Sequence, residues 1–550
     1  MLHAPAARRN LLLLLLVTLL IWFGTLEYRK LVRPDEGRYA EIPREMVASG
    51  DWLTPRLNGI KYFEKPALQY WATAAAYEVF GEHAWTARLW SALTGFLGIL
   101  FAAFAGWRLF GPKAGLYGAL VLGSSLLYAL IAHIDTLDMG VTFFMGAGLM
   151  GFLLAQREGV APRERRNWMW LTWASLALSV LSKGLIGVVL PGAVLVLYSL
   201  LERDFALWKR LHMLSGLAIF LLIAAPWFIA VSLANPEFFH FFFIHEHFER
   251  FLTKVHHRVQ PWWSFIPLLL LGMLPWVVTM IDALMRAWGQ EPGRRGFVKP
   301  QRFLLIWSVF IFVFFSVSSS KLPSYILPIF PALALLIGVR LAHMRARTLF
   351  WQTLPIASAA ALALWLSPRI TQFADVEVPL ALYQRYLVWA VWAAALWLGG
   401  TLLSLYFSYR NRTTAAVVTL AMTMLVAGQL ALLGHDSLSP SNSAYHIAQK
   451  IKPYLRPDAP FYSVSTYEQT LPFYIKRTVT LVDFQDEMQF GLDQEPEKAI
   501  PDMKTFEQTW RQQRYALAMM APETYRTLAQ HGLPMREIAR DTRRVVVTTP

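Results

Sequence analysis

Runs of apolar residues long enough to cross a bilayer recur along this chain, and no other feature limits its fold as tightly. A hydrocarbon core about 30 Å thick takes a helix of roughly 20 apolar residues, and lipid offers no partner to an unpaired peptide group. Residues 10–28, 86–109, 112–132, 136–156, 168–183, 184–201, 211–233, 262–287, 302–319, 323–342, 348–366, 383–407 and 413–433 fit that description. They predict an α-helical polytopic membrane protein with about 13 transmembrane helices. The run 66–80, "PALQYWATAAAYEVF", is apolar but short, and reads as a juxtamembrane or re-entrant helix. The first run is followed by "GTLEYRK" with no small-residue cleavage site, so it reads as a retained span rather than a signal peptide.

The loops supply a second, independent pattern. Arg8 and Arg9 precede the first span, and alternate loops are basic: "RLFGPK", "REGVAPRERR", "ERDFALWKR", "RAWGQEPGRRGFVKPQR", "RLAHMRAR" and "SYRNR". The short loops between them ("HIDTLD", "SKG", "SSSKLP") are poor in Lys and Arg. Basic loops stay cytoplasmic, so the first loop, 29–85, and the tail are expected on the external face. The formal charge of +15 then reflects topology rather than nucleic-acid binding, for which no basic-aromatic module is present. With no cysteine, disulfides, thiolate chemistry and Cys-ligated zinc are excluded.

Residues 434–550 change character. Short β-like runs ("FYSVST", "TVTLVD", "YALAMM", "RVVVTT") alternate with helix-like stretches, which predicts a small α/β domain. "SLSPSNS", 437–443, reads as the linker. The expected division is a transmembrane catalytic domain, 1–433, whose first external loop spans 29–85, followed by an external α/β domain, 434–550.

The chemistry-bearing residues collect in the external loops. Residues 31–66, "LVRPDEGRYAEIPREMVASGDWLTPRLNGIKYFEKP", hold both signs of charge. Of these, Arg44, Glu45, Arg56 and Lys61 read as solvated surface charges, and Asp35, just after Pro34, fits a helix N-cap. "AHIDTLDMG" adds Asp135, suited to capping at the interface, and Asp138, which lies deeper and needs a partner. Loop 234–261 brings five histidines, Glu246 and Arg250 among phenylalanines, and "SSSKLPSYILP" brings Lys321 and Tyr325. Cations among acids at a membrane surface suit a substrate with an anionic head and a lipid tail. Lys65, Arg38, Arg250 and Lys321 could pair with phosphate oxygens, and carboxylates with a sugar. The reading is glycosyl transfer from a lipid-phosphate donor. A flippase would instead place its charges near the bilayer midplane on repeated halves, and a purely structural role leaves the charge-dense first loop unexplained.

"DEGRYAEIPREM", "SGDW" and "YFEKP", followed by "IDTLD", "SKG" and "SSSKLPSYILP", closely resemble one family: the membrane transferases that move 4-amino-4-deoxy-L-arabinose from undecaprenyl phosphate to lipid A. The resemblance spans essentially the whole chain, and its acidic first loop is shared with the wider superfamily, including protein O-mannosyltransferases. It implies a GT-C fold, a site on the periplasmic side of the bacterial inner membrane, and resistance to polymyxin-type peptides. It carries catalytic roles to Asp35, Asp138 and Lys65, and donor-phosphate binding to Arg250 and Tyr325, with Tyr39 and Tyr62 beside them. Glu64 with His245 or His247 is a candidate set for a divalent metal such as zinc. Expected partners are the undecaprenyl-phosphate-linked sugar, lipid A and membrane lipids; the chain is expected to be a monomer. Another polyprenyl-phosphate-dependent transferase, acting on a different sugar or a protein, is the main alternative.

Overall fold

The computed structural model describes residues 5–249, 260–289 and 297–550. Helices occupy all thirteen expected segments. Eight of the described helices are long and apolar enough to cross a bilayer on length and composition alone, nine if a bent pair counts as one span. The remaining four fall short for visible reasons. The apolar part of the first helix, Arg9–Phe23, and Ile186–Glu202 are short. Pro162–Lys183 opens on "PRERR". The segment expected at 112–132 is broken at Ser125 into Pro112–Ser124 and Leu126–Ile131.

The expected continuous span 262–287 is also broken: Trp262–Gly272 and Val277–Ala287 meet at 114°. Pro275 in "MLPW" removes a backbone donor there. The two breaks satisfy one another, because the Leu126 amide donates to the Leu274 carbonyl at 3.2 Å, and Trp276 Nε1 donates to Ser124 Oγ at 2.9 Å. Irregular backbone is thus buried in protein, as a membrane interior requires. Helix Asp138–Ala155 lies at the centre, with 89% of its apolar window buried, whereas Met213–Ala234 buries 17% and faces outward. Around it runs one large apolar core containing Phe152, Phe303, Trp307 and Phe330.

The expected short helix at 66–80 is Leu68–Phe80. Helix Asp35–Ser49 and the hairpin β1 (Arg56–Leu57) and β2 (Ile60–Lys61) complete the first loop. The tail forms a six-stranded sheet from β3 (Phe461–Val464), β4 (Thr480–Val482), β5 (Ala499–Ile500), β6 (Leu517–Met520), β7 (Arg536–Arg540) and β8 (Val545–Thr548), in the order β5-β4-β3-β6-β8-β7. The first four are parallel; β8 and β7 join antiparallel. Alternation along β3 sends Tyr462 and Val464 to one face, against Phe506, Trp510 and Leu528 of the tail's own helices. Phe461 points to the other face, where the core is shared with Tyr39, Ile42, Met46, Leu57, Ile60 and Tyr62 of the first loop.

The expected linker is not a tether. Its residues form a short 3₁₀ turn, His435–Leu438, and the helix Ser439–Asn442. Ser439, Ser441 and Ser443 are buried. Ser441 Oγ donates to the Glu377 carbonyl at 2.5 Å, and Arg544 holds the Pro440 carbonyl at 2.9 Å. Turn-rich composition signals irregular backbone, and buried serines make that backbone rigid.

Candidate active site

Helix Asp35–Ser49 begins with two acids, which favour the positive end of its dipole, and ends at Gly50 in the left-handed region (φ 72°). Asp35 is the first helical residue rather than the cap: Pro34 takes that position and no side-chain cap bond forms. Its neighbour Glu36 turns the other way and is buried. Glu36 takes a two-pronged pair from Arg88 at 2.7 and 2.8 Å and accepts the amides of Val32 at 2.9 Å and Asp135 at 3.2 Å. Arg29 stands 3.7 Å away. Burial would raise the Glu36 carboxyl, but the charges of Arg88 and Arg29 outweigh it and hold it near 2. Arg88 also clamps the carbonyls of Leu26, Arg29 and Lys30 at 2.8–3.0 Å, tying the end of the first helix to the loop.

The charges expected to be solvated are instead paired. Arg44 and Glu41 form a buried two-pronged pair at 2.6–2.7 Å. Glu45 caps the hairpin, accepting the amides of Asn58 and Gly59 at 2.5 and 2.7 Å. Arg56 pairs with Glu495 of the tail at 3.0 Å, and Lys61 with Glu237 at 2.6 Å. The hairpin and the tail cover the helix, so its polar face has neighbours instead of water.

Arg38 organises the exposed end of this helix. Its guanidinium lies 5.8 Å from the ring centres of both Tyr39 and Tyr62. One nitrogen reaches Asp35 at 3.4 Å, the other the carboxylate of Glu487 from the tail. Burial pushes the phenols of Tyr39 and Tyr62 well above their ordinary range, keeping both protonated. The loop bearing Glu64 and Lys65 is anchored by Phe63, which packs edge-on against Phe238 at 5.2 Å and against Phe490 of the tail at 6.1 Å. Lys65 Nζ lies 2.7 Å from the Glu64 carbonyl and 3.9 Å from its carboxylate.

Asp138 has the partner it needed: Lys183, at the end of Pro162–Lys183, forms an ion pair with it. Lys183 Nζ also lies 5.0 Å over the Tyr325 ring, which packs on Phe315 at 5.3 Å. Asp138, Lys183 and Tyr325 therefore form a second group. Lys321 Nζ binds the Ser318 carbonyl, and burial lowers its pKa. Asp135 does not cap at the interface. It is fully buried and accepts from Gln69 Nε2 at 2.6 Å; burial, aided by Glu36, raises its pKa well above the carboxylate range. Close by, Tyr62 OH, Tyr70 OH, Thr73 Oγ1, Gln69 Oε1 and Asp135 Oδ2 are buried without a hydrogen-bond partner among the described residues. A buried polar atom left unpaired costs about 1–3 kcal/mol.

Arg250 lies outside the described residues, as do the side chains of His245 and His247. Among the described residues no three His, Asp or Glu side chains gather as a metal set. On the outer flank, Trp52, Leu53, Leu68, Trp71, Ala72 and Ala75 line an apolar groove of about 610 Å³. Sequence reasoning passed over Lys183, Glu487, Gln69 and Tyr70. Only Lys183 carried a signal, as the one charge in the short loop "SKG".

Residues 8–242 match the family described as dolichyl-phosphate-mannose-protein mannosyltransferase, and residues 447–549 match the aminoarabinose transferase C-terminal domain. An undecaprenyl phosphate-α-4-amino-4-deoxy-L-arabinose arabinosyl transferase from Enterobacter sp. is 31% identical over 444 residues, 77% of each chain. One of the same description from Pseudomonas aeruginosa is 34% identical over 401 residues, 70% of this chain and 71% of that one. The crystal structure of ArnT from Cupriavidus metallidurans bound to undecaprenyl phosphate superposes with a TM-score of 0.94 at 40% identity, covering 98% of both chains. An oligosaccharyltransferase from Archaeoglobus fulgidus, at 13% identity and a TM-score of 0.50 over 84% of this chain, shares the fold. The chain belongs to the aminoarabinose transferase family of GT-C membrane glycosyltransferases.

Proposed function

We propose that this protein transfers 4-amino-4-deoxy-L-arabinose from undecaprenyl phosphate to a phosphate of lipid A, working as a monomer at the periplasmic face of the bacterial inner membrane. Residues 1–433 would form the membrane-embedded catalytic unit and 434–550 a periplasmic domain. The observation that carries the reading is the meeting of Asp35 and Arg38 with Tyr39 and Tyr62 at the start of the largely buried helix Asp35–Ser49, in a chain of this family. The apolar groove beside Leu68–Phe80 suits a lipid chain.

A lipid A phosphate oxygen attacks the anomeric carbon. The bond from that carbon to the undecaprenyl phosphate oxygen breaks, and the electron pair leaves with the phosphate. The acceptor is already an anion at neutral pH, so no general base is obligatory. Lys65 and Arg250 stabilise the charge gathering on the leaving phosphate, with Tyr325 and Lys321 beside them. Asp35 orients the acceptor or binds the sugar's ammonium group, and Asp138 holds Lys183 toward Tyr325. Because the added aminosugar reduces the negative charge of lipid A, cells gain resistance to polymyxin-type cationic peptides.

Purified protein with the lipid-linked sugar and lipid A tests this directly. Lys65→Ala and Asp35→Asn should each lower transfer more than tenfold, since a charge-assisted contact contributes roughly 1.5–3 kcal/mol. Near-wild-type transfer in both places the site elsewhere. Unchanged lipid A mass in cells lacking the protein would point to a different acceptor.

A further inference from the structure

An open α/β sheet binds ligands at the carboxyl ends of its parallel strands, where the strand order reverses. In the tail that reversal falls at β3, with β4 and β5 to one side and β6 to the other. The segments leaving β3 and β4 carry Gln469 and Glu487. This edge is occupied by the first loop. Helix Asp35–Ser49 approaches so closely that a Cβ on Gly37 would lie 2.6–2.7 Å from the backbone of Gln469 and Thr470.

At the contact, four polar side chains stand in a row. Gln469 Nε2 donates to Glu487 Oε1 at 2.7 Å. The Glu487 carboxylate meets Arg38 Nη2, and Arg38 Nη1 lies 3.4 Å from Asp35 Oδ1. The side chains of Glu487 and Arg38 are 10% and 11% exposed, while that of Asp35 is 49% exposed. The row therefore runs from a half-buried amide in the tail to a carboxylate at the open end of the helix. The rings of Tyr39 and Tyr62 hold the guanidinium from its flanks.

We infer that Glu487 is a positioning residue of the transferase: the tail reaches into the site and fixes Arg38, so that Arg38 steadies Asp35 without pairing with it completely. The inference rests on Asp35 and Arg38 belonging to the site, as proposed above. A guanidinium shared between two carboxylates spends one edge on each. Relieved of Glu487, it is free to swing onto Asp35 in the favoured two-pronged geometry. That draws the Asp35 carboxylate back toward the helix and neutralises it. Glu487 touches neither substrate in this arrangement and acts through Arg38.

The test uses the full chain in detergent with the lipid-linked sugar and lipid A. Glu487→Gln keeps the shape and removes the charge; it should lower kcat about tenfold, with KM for both substrates within about twofold. Glu487→Asp should recover part of the loss. In combination with Arg38→Ala, Glu487→Gln should cost nothing further, because its effect passes through the guanidinium. A purely structural contact would lower the melting temperature, add to Arg38→Ala, and leave kcat per folded molecule unchanged. That result overturns the inference. If Glu487→Gln does not accumulate as folded protein, Gln469→Ala carries the test: kcat falls severalfold if the row positions Asp35, and an unchanged kcat overturns it. Should Asp35→Asn and Arg38→Ala themselves retain activity, the site assignment fails instead, and the two failures are distinct.

Discussion

Asp35 and Glu36 are adjacent acids with opposite fates, and their difference shows what a single residue's identity leaves open. A helical step of about 100° separates their side chains, so one is half exposed beside Arg38 and the other is buried on Arg88. Composition marks both as candidates. The deciding partner of Glu36 lies 52 positions away on another helix, beyond the reach of local pattern. The same holds for Glu45, whose partners are the hairpin amides of Asn58 and Gly59, whereas Arg44 pairs with Glu41 one turn earlier on its own helix. Asp138 is legible, because an acid inside an apolar run must find a partner, but the run itself does not say that Lys183 supplies it. Removing one partner of a buried ion pair costs about 3–5 kcal/mol, so Glu36→Gln should lower the melting temperature in detergent markedly. A milder effect follows from pH. The Glu36 carboxyl sits near 2 in the folded chain, against an ordinary value of 4.5. A depressed folded value means the stabilisation is fully present above 4.5 and fades as pH falls toward 2, amounting to about 3 kcal/mol. Wild-type protein should lose stability through that window, and Glu36→Gln should lose less. Parallel acid unfolding curves for the two would contradict this.

At the scale of elements, hydropathy placed a helix at each expected segment among the described residues, since twenty apolar residues have few other destinations. It did not find the breaks at Ser125 and Pro275, because each is tolerated only through its hydrogen bonds with the other. It also missed the docking of the tail. β3 reads as a strand, but full burial of both faces depends on a helix more than four hundred residues earlier. The two glycines of helix Asp35–Ser49 and its cap separate local from tertiary effects. Gly50 has a φ of 72° and nothing within 4 Å of a built Cβ. Gly50→Ala should therefore cost only the left-handed strain, about 1 kcal/mol. Gly37→Val cannot be absorbed, since the atoms it meets are backbone. It should force the helix from the tail, open residues 465–470 to limited proteolysis and reduce transfer, whereas Gly50→Ala should leave the cleavage pattern unchanged. Equal cleavage in the two variants would mean that helix and tail part easily in the wild type.

For the whole molecule, the division into a membrane unit and a tail follows composition but not the packing. Membrane helices have their own core. The first helix and hairpin of the external loop do not: Tyr39, Ile42, Met46, Leu57, Ile60 and Tyr62 lie in the same cluster as one face of the tail's sheet. Charged and polar contacts follow the same seam, with Asn58 exchanging two hydrogen bonds with Val479 at 2.7 and 2.8 Å, Arg56 on Glu495 and Arg38 on Glu487. Neither part can bury that surface alone, and segments that share one core open together. In native-state hydrogen exchange on the full chain in detergent, amides of Asp35–Ser49 and of β3 and β4 should lose protection at the same denaturant concentration. The buried helix Asp138–Ala155, in the separate core, should hold to a higher one. A chain ending at residue 433 should retain protection in that helix and lose it throughout Asp35–Ser49, and with it the geometry of the site. If Asp35–Ser49 stays protected in the shortened chain, the first loop carries its own stability and the tail is an appendage; if the two regions of the full chain open at different concentrations, the shared cluster does not bind them into one unit.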